Sequence, residues 1–172
     1  MHSSTSQDGS ISLSRNRLSN VTGTLVVAGV ALVVFLADQY TKSLVTKHFL
    51  PGESRYFIPH FLKWTYEQNV HGAFGLFGNN AVLLIAMAIV VLVLFWLSFR
   101  DAAARSVTVR IAFGKIVGGA IGNVVDRLHY GYVVDFIDFY RIWPNIFNVG
   151  DSCITVGVGL LLLSSLVTRR HR

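Results

Sequence analysis

The sequence predicts an all-α membrane protein, in which four transmembrane helices carry a small extracytoplasmic cradle rich in β structure. Three observations lead to that class. Of 172 residues, 52% are hydrophobic and only 14% charged, with a mean hydropathy of +0.53, whereas soluble domains carry roughly 25% charge. Four apolar stretches, at 21–37, 81–99, 107–125 and 153–167, come close to the ~20 residues that cross a bilayer core. Basic residues gather beside them: Arg15 and Arg17 before the first, Arg100, Arg105 and Arg110 around the second connection, Arg169, Arg170 and Arg172 after the last. An excess of Lys and Arg at span ends marks the cytoplasmic side. Both termini and the short middle loop are therefore expected in the cytoplasm, and the other loops outside.

Taken in order, residues 1–20 are polar and Ser-rich and read as a disordered cytoplasmic tail. Residues 21–167 form a single four-span domain, and 168–172 a basic cytoplasmic tail. The first span runs into Asp38-Gln39 without a small-x-small cleavage site, so it reads as a retained helix. Between the first two spans, residues 56–66 are rich in aromatic and β-branched types, with Pro51-Gly52 and Pro59 as breakers. That composition suits short strands at the headgroup level. The third span carries Gly114, Gly118 and Gly122 at four-residue spacing, which admits a neighbouring backbone. The same row continues to Asp126, and the adjacent row runs Lys115, Gly119, Asn123, Arg127. Residues 129–140 are strand-like, with Val133, Asp135 and Ile137 on one side and Val134, Phe136 and Asp138 on the other. Asn148 and Asp151, three apart, share the first face of the last helix.

Several function classes drop out. The net charge of +6 is spread beside the spans and forms no stripe for nucleic acid. A single cysteine, Cys153, permits no internal disulfide, and it has no histidine close in sequence to activate it as a nucleophile. The six histidines form no HExxH pair and no Cys/His cluster, so no metal or cofactor is expected. What remains is a set of carboxylates at one membrane edge, where charge is expensive and usually functional. Asp38 is explained by Lys42 four residues on. Asp126 is held by Arg127 or by a neighbouring strand, and Asp138 is solvated. Asp135 and Asp151 have no local cation and approach one corner. Two carboxylates in contact share a proton, which suits them to activate water. An ion or proton pathway would use intramembrane carboxylates too, but it needs polar residues threading across the bilayer.

Five segments decide among these readings: DQYTK at 38–42, NVHGAF at 69–74, GGAIGNVVDR at 118–127, VVDFI at 133–137 and FNVGDSCITVG at 147–157. In their order and spacing they resemble the lipoprotein signal peptidases (signal peptidase II), four-span aspartyl peptidases of the bacterial cytoplasmic membrane. The resemblance implies Asp135 and Asp151 as the catalytic pair, with Asn69, Asn123, Arg127 and Asn148 orienting the pair or the substrate backbone. Asp38 and Asp126 remain structural. It also implies a diacylglyceryl-modified prolipoprotein as substrate, cut just before its lipidated cysteine, with membrane lipids as the surroundings and a monomer as the working unit. Three positions depart from the family pattern: His71 in place of glycine, Gly150 in place of alanine, and Lys115 in a span that is apolar there. Asp151, at the positive end of a helix, is expected to be the ionised partner, and Asp135, among apolar neighbours, the proton holder.

Overall fold

A computed structural model describes residues 5–71 and 80–170. Its elements, in chain order, are α1 (Thr5–His48), β1 (Ser54–Ile58), β2 (Leu62–Asn69), α2 (Ala81–Arg105), α3 (Val107–Tyr130), β3 (Val133–Asp138) and α4 (Val149–Arg170). All four helices hold stretches long and apolar enough to cross a membrane, as expected. The Gly72–Phe74 part of the second motif segment and the last two residues lie outside the described residues.

All four helices run further than hydropathy suggested. α1 begins at Thr5, so the expected tail is helical backbone from that residue, and it continues past Ala37 to His48. Polar side chains end a hydropathy window but not a helix; the interval 5–48 has no proline, and an apolar span already nucleated propagates cheaply. α2 and α3 meet at Ser106, which closes α2 with its N–H on the Ala102 carbonyl (2.9 Å) and caps α3 by accepting from Val109 N–H (3.4 Å). α3 ends at Gly131 in the left-handed conformation (φ 79°), which glycine adopts without a Cβ clash.

α3 is the central helix. A Cβ at Gly114 would lie 2.6 Å from the Val30 Cβ, and one at Gly118 2.5 Å from the Ala31 carbonyl oxygen of α1. One at Gly119 would run into the Gly150 carbonyl of α4. The glycine row thus seats α1 on one side of α3, and Gly119 seats α4 on the other, at separations that no side chain would allow. Far from the sheet, the core is apolar: Ala103, Val109, Ala112, Phe113, Ile116 and Leu161.

The three strands form one antiparallel sheet in the order β1-β2-β3. β3 pairs with β2 through Trp64↔Ile137 and Glu67↔Asp135, with a bulge between them. Its other edge takes Phe147, whose N–H donates to the Ile137 carbonyl (3.0 Å) and whose carbonyl accepts from Phe136 and Ile137 N–H (2.8 and 2.7 Å). That exchange docks the start of α4 on the strand. Alternation then divides β3. Val134 and Phe136 join Val45 and Tyr66 in a second core. Beside that core lies an apolar groove of about 370 Å³ lined by Thr41, Leu44, Val45, His48, Phe49, Trp64 and Phe136. Val133 and Asp135 face a separate cavity.

The close approach of α3 and α4 has a measurable consequence. Gly119→Val should destabilise the fold by about 1–3 kcal/mol, because the Cβ meets backbone that cannot step aside. Gly29→Ala, where a Cβ would meet nothing within 4 Å, should leave the thermal midpoint in detergent unchanged or slightly raised.

Candidate active site

The cavity facing β3 has a volume of about 870 Å³ and is walled by four elements and the loop before α4. β2 contributes Glu67 and Asn69, α3 contributes Asn123 and Arg127, β3 contributes Val133 and Asp135, and α4 contributes Asp151, Ile154 and Thr155. The loop supplies an apolar wall of Ile142, Trp143, Pro144, Ile146 and Phe147. Asp135 and Asp151 therefore do meet in one place. The structure brings Asn69, Asn123, Arg127 and Asn148 to the same corner.

Each carboxylate is held by amides. Asp135, 1% exposed, accepts from Asn148 Nδ2 at Oδ1 (2.7 Å) and from Asn69 Nδ2 at Oδ2 (2.7 Å). The Asn69 amide is itself fixed, because its Oδ1 accepts from the His71 backbone N–H (3.1 Å). Asp151 accepts from Asn123 Nδ2 (2.7 Å) and from the Asn148 backbone N–H (3.3 Å). In return the Asp151 N–H donates to Asn148 Oδ1 (2.8 Å). This is a reciprocal capping box of Asn and Asp at the start of α4, and it sets the Asp151 carboxylate in the first turn, where the helix dipole favours negative charge. Burial pushes the Asp135 carboxyl up to about 8, assisted by the charge of Asp151 and opposed by the Asn69 and Asn148 donors and the charge of Lys42.

Arg127 lines the cavity with its Nη1 on the Asn123 carbonyl (3.3 Å). Its Nε is buried and has no hydrogen-bond partner among the described residues. A buried donor is thus left unmet in a residue of the cavity wall.

Asp38, Asp126 and Asp138 sit outside the cavity and are paired. Lys42, 3% exposed, contacts Asp38 Oδ2 (2.7 Å), as its spacing predicts, and also Asp126 Oδ2 (2.9 Å). Asp38 Oδ1 accepts from the Gly150 N–H (2.7 Å) and so ties α1 to the start of α4. Asp126 takes the β3 amide of Val134 (3.0 Å) and Gln39 Nε2 (3.0 Å). Of its two expected holders the strand is present, while its cation is Lys42 and not Arg127. Asp138, expected to be solvated, is 9% exposed. It accepts from Thr65 Oγ1 (2.9 Å) and pairs with Lys63 (3.1 Å), its direct partner in the β2–β3 register. Sequence reading missed Glu67, which the same register places opposite Asp135. It also missed the reach of Lys42 beyond Asp38. Neither has a local signal, since both contacts depend on how distant segments pair. Of the three departures from the family pattern, His71 is exposed and Lys115 half-buried. A Cβ at Gly150 would lie 3.0–3.1 Å from the Gly119 carbonyl, Asn148 Oδ1 and Asp38 Oδ1, so an alanine there would have to shift its neighbours by a few tenths of an ångström.

Comparison with known proteins agrees with this arrangement. A family described as Signal peptidase (SPase) II matches residues 30–167. A "Lipoprotein signal peptidase" of Halothermothrix orenii is 41% identical over 134 residues, which cover 78% of this chain and 90% of that protein. Its namesake from Caldanaerobacter subterraneus subsp. tengcongensis is 42% identical over 137 residues, covering 80% and 92%. A solved structure, described as a bacterial membrane enzyme obtained by the in meso method, superposes with a TM-score of 0.75. It is 31% identical and covers 88% of this chain and 91% of that one. Fold, motif order and sequence identity along most of its length converge, and the chain belongs to the signal peptidase II family, the lipoprotein signal peptidases.

Proposed function

We propose that the chain is an aspartyl endopeptidase that removes signal peptides from lipid-modified prolipoproteins, with Asp135 and Asp151 as its catalytic pair. The observation that carries this reading is the amide cradle. Asn148 touches both carboxylates, and both face one cavity with an apolar wall. Two neighbouring carboxylates in so little water hold one proton between them. Asp135 is the holder, because it is the more buried of the two and lies on a strand, and Asp151, half-buried in the first turn of α4, is the ionised partner.

The chemistry follows from that division. Asp151 accepts a proton from a water as the water oxygen bonds to the scissile carbonyl carbon. Asp135 donates its proton to the carbonyl oxygen, so the tetrahedral intermediate carries no full charge. Collapse re-forms the carbonyl and breaks the C–N bond, while the proton on Asp151 passes to the leaving nitrogen and the hydroxyl proton returns to Asp135. Arg127, in the cavity wall, offers its guanidinium as the donor that would fix a substrate backbone carbonyl beside the pair. Ile142, Trp143 and Ile146 offer the apolar surface against which the substrate's acyl chains would lie.

The charge distribution supports an orientation with both termini in the cytoplasm and the sheet and cavity on the outer face of the bacterial cytoplasmic membrane. Ion or proton conduction is not favoured. The buried polar cluster lies at the sheet end, and the opposite end of the core is apolar.

Two outcomes test the reading. In a cleavage assay on a lipid-modified prolipoprotein, with protein levels matched, Asp135→Asn and Asp151→Asn should each lower the rate by about 10²–10⁴-fold. Retention of full activity in either variant refutes the pair. Second, because Asp135 is pushed up to about 8, kcat/KM should fall as pH rises through that value and the shared proton is lost. A profile flat to about pH 10 would contradict it.

A further inference from the structure

Lys42 carries three hydrogens on its ammonium and meets three acceptors: Asp38 Oδ2 (2.7 Å), Asp126 Oδ2 (2.9 Å) and Asn123 Oδ1 (2.9 Å). An ammonium has three donors and no acceptor, so it is saturated. The third contact leads out of the ion cluster and into the amide cradle. Asn123 Oδ1 also accepts from Asn148 Nδ2 (3.0 Å), which occupies its second lone pair, and Asn123 Nδ2 donates to Asp151 (2.7 Å).

This chain of contacts has a direction. A cation can only donate, so the oxygen of the Asn123 amide must face it. The nitrogen must then face Asp151, whose ionised carboxylate can only accept. Turning the amide over would set NH₂ against NH₃⁺ and a carbonyl oxygen against a carboxylate, losing two charge-assisted bonds at once. The same polarity passes to Asn148, whose Nδ2 must serve Asn123 Oδ1 and Asp135 Oδ1 while its Oδ1 receives the Asp151 N–H.

We propose that Lys42 is a positioning residue of the peptidase. Held between Asp38 and Asp126, it locks the Asn123 amide and, through it, the arrangement of the catalytic pair. The inference rests on Asp135 and Asp151 being that pair. Lys42 is buried and is not among the residues that line the cavity, so its effect falls on the chemical step and not on substrate binding. The charged groups facing this core are Asp38 and Lys42 of α1, Asp126 and Arg127 of α3, Glu67 of β2, Asp135 of β3 and Asp151 of α4. Deleting the Lys42 charge leaves an excess of negative charge around the pair, so the pair keeps its proton to higher pH.

Steady-state kinetics over pH, on purified full-length protein with a lipid-modified prolipoprotein, provide the test. Lys42→Met should lower kcat by about tenfold or more with KM changed by less than about twofold, and should move the alkaline limb to higher pH. Asp126→Asn, which removes a negative charge from the same cluster, should move that limb to lower pH. The double variant Lys42→Met/Asp126→Asn restores the local charge balance. Its limb should return near that of the parent while kcat stays low, because Asn123 is still free to turn. The double variant also decides the matter if Lys42→Met alone does not accumulate, since Asp126 no longer lacks its partner. Parental kcat in the double variant overturns the positioning role, as does a parental pH profile with parental kcat in Lys42→Met. Either result, alongside an inactive Asp135→Asn, leaves the catalytic pair standing. An active Asp135→Asn removes the pair itself.

Discussion

Asn148 is the residue through which the parts of this protein become one site. Phe147 before it is bonded into the edge of β3, and Val149 after it begins α4. Asn148 must therefore serve strand and helix together. Its side chain caps α4, accepts from the Asp151 amide, and donates to Asp135 and Asn123. A side-chain amide suits the task because it carries donors and an acceptor in one rigid plane. An aspartate there would lack the donors and add a further carboxylate to the corner. Because the residue is fully buried, any of these bonds left unmade would cost the full desolvation of its partner. The helix start, the strand and the two carboxylates are thus fixed by one set of contacts.

Around that point the protein brings several charges together at little net cost. Isolated buried ions are expensive, but an ion whose every donor or acceptor is matched is tolerated. Lys42 meets two carboxylates and one amide, and Asp38 divides its oxygens between Lys42 and the Gly150 amide. Asp126 divides its own among Lys42, Gln39 and the Val134 amide. These bonds also cross elements. α1, α3, α4 and β3 are all tied at one level of the bundle, while further along the helices glycine-mediated packing and apolar contact hold them. Rigidity is concentrated where chemistry needs it.

How much of this could be read beforehand varied with the range of the interaction. The four spans followed from hydropathy, and the Asp38–Lys42 pair from its four-residue spacing, since both are local. The alternation of β3 put Val133 and Asp135 on one face and Val134 and Phe136 on the other, as found, while Ile137, expected beside Asp135, packs against the core of Val134 and Phe136. The meeting of Asp135 with Asp151 needed motif resemblance, because fifteen intervening residues hide it from periodicity. The partners of Asp126 and Asp138 were not legible, because Lys42 and Lys63 reach them across pairings of helix and sheet that no local pattern encodes. Helix length failed for a different reason. Hydropathy reports where apolar side chains stop, and α1 carries on through Thr41 and Lys42 because their polar groups find partners without breaking the helix.

β3 also acts as a partition. One face presents Asp135 to a cavity with polar walls, and the other presents Phe136 to a groove made of Leu44, Phe49 and Trp64. A strand that separates two unlike compartments tolerates exchange of residues far better than a change in their number. Inserting or deleting one residue would turn every side chain to the wrong side, moving a carboxylate into the apolar groove and a phenyl ring into the cavity. Across evolution this segment should drift in the identity of its apolar residues while keeping its length, so that its reading frame, more than its composition, carries the inherited information.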